Sequence, residues 1–204
     1  MTYDIPASPE AVRRAADALE ARNVIVQLAR DRAEALQMVR DLIPAGSEVM
    51  TGASQTLDQI GFTELLKSGT HPWRNLKTAL LAETDPLKQA LLRRQATLAE
   101  YFLGSVHAIA ETGEVVIASA SGSQIPSYAS SSPHVIWVAG TQKIVPTLQD
   151  AIQRVREYVL PLEDKRMKAA GAPGSLIAKL LVFEREAARK GRVTLMLVNE
   201  KLGF

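Results

Sequence analysis

Residues 23–56, NVIVQLARDRAEALQMVRDLIPAGSEVMTGASQT, decide the fold class. Residues 23–29 are short, β-branched and apolar, which suits a buried strand. From 31 to 42 the apolar positions Ala33, Leu36, Met38 and Val39 follow a helical rhythm. Pro44, Ala45 and Gly46 turn the chain, and residues 47–51 (SEVMT) read as a second strand running straight into GASQT and a new helical start. Strands joined through helices run parallel, because a crossover long enough to return the chain to the same edge is a helix, and that helix covers a face of the sheet.

Working outward, Ser8, Pro9 and Glu10 read as an N-cap, a first-turn proline and a favourable acidic group ahead of Ala11, Val12, Ala15, Ala16 and Leu19. Residues 1–20 are therefore assigned to an N-terminal helix. Residues 62–99 are helical in composition, broken by SGTHP at 68–72, with 85–98 the clearest helix. Three short apolar runs follow at 101–105, 106–110 and 115–118, the last two separated by ETGE, a hairpin turn. Residues 118–133 (ASASGSQIPSYASSSP) are small and polar and read as a loop. Residues 134–139 are a strand, 146–158 an amphipathic helix, 161–175 a polar connection and 192–199 a last strand. Residues 176–190 fit a helix by their alanines and charges and a strand by their LLVF core, and periodicity leaves both open. The expected architecture is a single α/β domain over 1–204, with a parallel-rich sheet, helices on both faces and a small antiparallel insertion.

The 204 residues are 47% hydrophobic and 23% charged, which suits a packed domain and excludes a disordered chain. A net charge of +2 without a long basic run gives no footprint for nucleic acid. Cysteine is absent, so no disulfide, thiol nucleophile or iron–sulfur ligand comes from this chain, and any other cofactor stays unknown. No apolar run reaches the roughly 18 residues of a membrane span, nor does the N-terminus resemble a signal peptide. A cytoplasmic protein is expected, with homo-oligomerisation open.

Four places can carry chemistry. At the strand-to-helix turn, Thr51, Gly52, Ala53, Ser54 and Thr56 bring free backbone N–H groups and hydroxyls to one spot, an anion cradle or an ordinary helix cap. Glu111, with Gly113 in the same turn, is a candidate general acid or base, against the plainer reading of a solvated hairpin. Ser121, Gly122, Ser123 and Gln124, with Ser119, can line a pocket beside the strand ends or form a surface loop. Lys143 follows strand 134–139 where open α/β sheets place ligand-facing residues. His71, His107 and His134 have no metal-ligand spacing, and His107 is expected to pack in or near a strand.

The runs TGASQTLDQIGF (51–62), AEYFLGSVHAIAETGEVVIASASGSQ (99–124), HVIWVAGTQKIVPTLQDAIQRVREYVLPLEDKR (134–166) and RVTLMLVNEKLGF (192–204) resemble the lactate-utilisation (LUD) domain family. The resemblance implies a fold like that of the ribose-phosphate isomerase, glucosamine-phosphate deaminase and CoA-transferase group, with 179–185 extended. In that group the loop after an early strand binds phosphate or a CoA thioester, which maps onto Gly52 to Thr56, with Glu111 near the same cleft. The family implies a role beside iron–sulfur oxidoreductase subunits in oxidising lactate to pyruvate. Where many relatives carry a cysteine-bearing segment before the penultimate strand, this chain has MKAAGAPGS (167–175), so that segment holds no cluster. An accessory protein of lactate oxidation is the leading expectation. The alternative is an enzyme or sensor binding a phosphate, carboxylate or CoA-bearing ligand, with Glu111 as the catalytic carboxylate if it is an enzyme.

Overall fold

The computed structural model describes residues 2–187 and 189–204; Met1 and Ala188, the latter inside the stretch left open above, lie outside the described residues. The first helix α1 (Pro9–Glu20) starts at Pro9 rather than at the chain's first residue, because Ser8 Oγ accepts from Ala11 N and caps it there. Then come β1 (Ile25–Ala29), α2 (Arg32–Leu42), β2 (Glu48–Thr51), α3 (Gln55–Gln59) and α4 (Phe62–Ser68). After the predicted break lie a two-residue strand, β3 (Arg74–Asn75), and the helices α5 (Leu76–Ala82) and α6 (Pro86–Gln95). The second half holds β4 (Tyr101–Gly104), β5 (Ala108–Ala110), β6 (Val115–Ser119), β7 (His134–Gly140), β8 (Ile144–Val145), α7 (Leu148–Arg154), α8 (Leu160–Ala169), β9 (Lys179–Phe183) and β10 (Val193–Val198).

Six strands form an all-parallel sheet in the order β1-β10-β7-β4-β2-β3. Its central strands β7 and β10 are buried on both faces apart from His134, which is why they read as unbroken apolar runs. Val49, Leu103, Ile136, Val138 and Met196 face one way, onto α2, α3 and α4. Phe102, Val135, Trp137 and Leu195 face the other way, onto α1, Leu80 of α5 and a second sheet. That second sheet is mixed, in the order β8-β5-β6-β9, with β5–β6 the predicted hairpin and β9 antiparallel to β6. Its outer face, through Ala108 and Val116, packs on Ala151 of α7 and Val155.

Two expectations change. Ser127–Ser131, read as loop, is a π-helical turn that buries Ser127 and Tyr128. The helix predicted to end at 158 continues through a second π-helical turn, Val155–Val159, into α8, which reaches Ala169. Pro161 sits in the first turn of α8, where its missing N–H costs least because the π-helical turn has already broken the regular i to i−4 ladder. Residues 179–183 are strand: Lys179–Phe183 pair along the whole of β6, and that edge decides what local periodicity left open.

Candidate functional site

In an all-parallel sheet the carboxyl ends of the strands lie along one edge. Here β2 runs into Gly52, β4 into Ser105 and β7 into the 3-10 turn Thr141–Lys143. A cleft of about 640 Å³ opens at this edge. It is lined by Gly52, Ala53, Ser54 and Thr56, by Ser105 and His107, by Ser121, Ser123 and Gln124, by Lys143, and by a stripe of Val159, Glu163 and Arg166 from the long helix.

Lys143 is the chemical centre of this wall. It is only 3% exposed. Its Nζ donates to Ser105 Oγ at 2.9 Å, to Val106 O at 3.0 Å and to Thr56 Oγ1 at 3.2 Å. Ser105 Oγ itself donates to Val138 O at 2.7 Å, and Thr56 Oγ1 donates weakly to Leu202 O at 3.4 Å, so both hydroxyl oxygens turn toward Nζ as acceptors. Gly203, in a left-handed conformation, covers the same spot, and a side chain there would collide with Thr56 Oγ1. Among the described residues no carboxylate pairs with Lys143. Burial first, and then the Arg154 guanidinium, hold its amine well below the ordinary lysine value.

The remaining wall sets neutral polar groups beside charged ones, among them Asp58 and the ion pair of Arg166 with Glu163 at 2.6 Å. His107 Nδ1 accepts from Ala118 N at 3.2 Å, which leaves the ring proton on Nε2. Burial, followed by Lys143 and Arg154, pushes its pKa down to about 3, so the ring is neutral. Tyr128 donates to Ser105 O at 3.2 Å and lies so close over Gly104 that a side chain at 104 would overlap its hydroxyl. Burial raises its pKa above the ordinary tyrosine value. A second amine, Lys77 Nζ, donates to Thr51 Oγ1 and Gly52 O, both at 3.3 Å, and burial lowers its pKa.

The structure thus brings Gly52, Ala53, Ser54, Thr56, Ser121, Ser123, Gln124 and Lys143 to one cleft, with Thr51 beneath it. Gly122 sits in the same loop and donates to Ser119 Oγ at 2.8 Å. The turn after β2 acts locally as a cap: Ser54 Oγ accepts from Leu57 N at 3.2 Å. The helix it caps has five residues, too few for a helix dipole to hold an anion, so the positive charge of the cleft comes from the side chains of Lys77, Lys143 and Arg166, the last already paired with Glu163. Glu111 and Gly113 are not brought to the cleft. They lie in the β5–β6 turn, at the end of β5 opposite His107, and Glu111 Oε2 is ion-paired with Arg14 at 2.6 Å. The expected nearness of Glu111 to Gly52 fails because β5 carries the chain away from the strand ends of the larger sheet. Lys77, Ser105 and Tyr128 were missed. Ser105 had a signal, since it directly follows a strand of the parallel sheet, whereas Lys77 sits in an ordinary helix and had none.

The residues present do not fit an iron–sulfur cluster: the chain has no cysteine, and no group of three or more His, Asp or Glu among the described residues is placed to hold a metal ion. No helix of the described residues is long and apolar enough to cross a membrane.

A crystal structure of a DUF162 family protein from Deinococcus radiodurans is similar in fold, with a TM-score of 0.54 at 12% identity, covering 95% of this chain and 99% of that one. No curated protein matches this sequence. The family model of the LUD domain matches residues 12–198, from the first helix to the last strand, and the chain belongs to the LUD domain family.

Proposed function

We propose that this chain serves lactate utilisation as an accessory protein: its cleft holds a small organic anion, and iron–sulfur partner subunits carry the electrons. The observation that carries the anion site is Lys143, a buried amine on the cleft wall with three neutral acceptors and no carboxylate. A buried cation is costly until a counter-charge reaches it. An incoming carboxylate or phosphate supplies that charge and makes the ammonium the favoured form. The partner half of the reading rests on the family and on a chain without thiols, since the two electrons released when lactate becomes pyruvate need an acceptor outside this polypeptide.

The test is a thermal-shift series with lactate, pyruvate, phosphate and CoA. At one hundred times the dissociation constant a ligand stabilises by about 2.7 kcal/mol. For a chain of this length that is a rise of roughly 5–11 °C. At least one of these anions raises the melting temperature of the wild type, and Lys143→Met loses the rise. A flat series, or a rise that survives Lys143→Met, removes the anion site. Purification of tagged protein from its native host tests the partner half, which fails if no iron–sulfur subunit is identified with it.

A further inference from the structure

Lys77 is half-buried, with Nζ contacts of 3.3 Å to Thr51 Oγ1 and Gly52 O. Lys143 is more deeply enclosed, on a one-turn helix directly after the fully buried end of β7, with its Nζ held by Thr56 of α3 and by Ser105 and Val106 after β4. Rigid placement of an amine with no counter-ion is the arrangement that amine nucleophiles need.

Resting on the anion reading of the same cleft, we propose that Lys143 Nζ condenses with the carbonyl of a small oxo acid to form an imine. The amine form keeps its two N–H groups on Ser105 Oγ and Val106 O, the shorter contacts at 2.9 and 3.0 Å. Thr56 Oγ1, the longest contact at 3.2 Å, marks the direction the lone pair takes and the partner a substrate displaces. The lone pair attacks the carbonyl carbon, the C=O π pair moves onto oxygen, and a proton passes from nitrogen to that oxygen. The resulting carbinolamine loses its hydroxyl together with the remaining N–H proton as water, and the nitrogen lone pair forms the C=N bond. Oxidant and reductant are both unnecessary. Neutral His107 lines the same cleft with its proton on Nε2, a hydrogen-bond donor of the kind that stabilises developing oxyanion charge. Lys77 supplies a second positive charge for the carboxylate. An amine and a cation in one cleft select a compound with a carbonyl and an acid group together, over a simple aldehyde or a simple carboxylate. Burial and the Arg154 guanidinium both favour the uncharged amine that the attack requires.

The probe is pyruvate with sodium cyanoborohydride on the full-length protein at neutral pH, read by intact mass and peptide mapping. Reduction of the imine fixes one carboxyethyl group on Lys143, while exposed lysines such as Lys201 stay unlabelled. Excess lactate, which carries the carboxylate without the carbonyl, suppresses the label. Lys143→Arg abolishes it and Lys77→Met reduces it at equal pyruvate. The mapping and the lactate competition use the wild type, so a variant that fails to fold does not remove the test. Label spread over surface lysines with Lys143 unmodified overturns the imine, whereas label on Lys143 that lactate leaves untouched overturns the shared anion site on which the selectivity for an oxo acid rests. A thermal rise with lactate and pyruvate without any trapped adduct sinks the imine and leaves the anion site standing. If neither binding nor label is found, both fall.

Discussion

Two of the three buried cationic side chains among the described residues, Arg192 and Lys143, sit at opposite ends of the same core, and they are treated differently. Arg192, just before β10, is 5% exposed, and its Nε meets Glu186 Oε2 at 2.5 Å. Its other nitrogens donate to the carbonyls of Ser127, Ser132, Tyr128 and Ala129, clamping the π-helical turn that carries Tyr128. Lys143 is equally buried, yet it meets only hydroxyls and a carbonyl, and one side of it faces the cleft. A charge whose task is to hold the fold brings its counter-charge with it. Arg154, which also lacks a carboxylate, is closed off by the carbonyls of His107 and Tyr3 and by the rings of Tyr3 and Tyr158, so what sets Lys143 apart is a missing counter-charge together with an open side toward the cleft.

The sharpest way to break this comparison is at Arg192. Glu186→Gln leaves the guanidinium buried without its carboxylate, and breaking such a pair costs about 3–5 kcal/mol. The melting temperature then falls by roughly 6–20 °C, at about 2–4 °C per kcal/mol. A fall of a degree or two in a thermal melt would mean that the four carbonyls alone suffice, and the contrast with Lys143 would lose its structural half.

His107 tests the other half. With a folded-state pKa of about 3 against an ordinary 6.5, the unfolded chain takes up the proton first. The stabilisation is therefore complete above about pH 6.5 and is lost as the pH falls toward 3. At about 1.4 kcal/mol per unit this amounts to a few kcal/mol at the bottom of that window. His107→Gln, whose amide oxygen can still accept from Ala118 N, shows a shallower loss than the wild type in denaturation series between pH 6.5 and 3. Parallel acid limbs would show that the cleft wall tolerates a third cation, and that the charge balance there is not as tight as the contacts imply.

How much of this was legible before the structure depends on where the information resides. The alternation in residues 23–56 carried the parallel sheet, because strand, turn and helix are written in local pattern, and parallel strands fix the edge at which Gly52 and Lys143 meet. Local periodicity leaves residues 179–183 undecided, because their state is set by pairing with β6, far away in sequence, and only the family resemblance implied that they are extended. The π-helical turn at Ser127–Ser131 has a loop's composition and owes its order to Arg192, sixty residues on. The family resemblance implied that Glu111 lies near the Gly52 cleft, whereas its position is set by which sheet the hairpin joins. Lys77 belongs to the cleft only because α5 packs against β2, a contact with no local sequence signal.

Lys143→Met is the next smaller change in stability, though the larger one in binding. It removes a buried amine whose desolvation on folding is unfavourable, and strands three acceptors at a cost of about 1–3 kcal/mol. The two effects offset, so the melting temperature moves less than in Glu186→Gln while the anion-induced rise disappears. The pH dependence separates them. Because the folded-state pKa lies below the unfolded 10.5, the unfolded chain holds the extra proton between the two values, and wild-type stability gains from this site as the pH rises through that interval. Lys143→Met lacks that gain. An identical alkaline profile in the two proteins would mean that Lys143 is paired after all, and would erase the distinction from Arg192.

The smallest effect is expected at the residue that local sequence reading favoured for catalysis. Glu111 is ion-paired with Arg14, whose side chain is 57% exposed, and the pair spans the first helix and the hairpin turn away from the cleft. Solvent and salt screen such a pair, and measured exposed pairs contribute little. Glu111→Gln therefore melts with the wild type, and it keeps both the anion-induced rise and the borohydride-trapped adduct. If this variant instead lost the adduct while still binding lactate, the hairpin turn would have to reach the strand-end edge during the reaction. The boundary between an open, reactive end and a closed, structural end would then have to be redrawn around β5, whose far end carries His107 on the cleft wall.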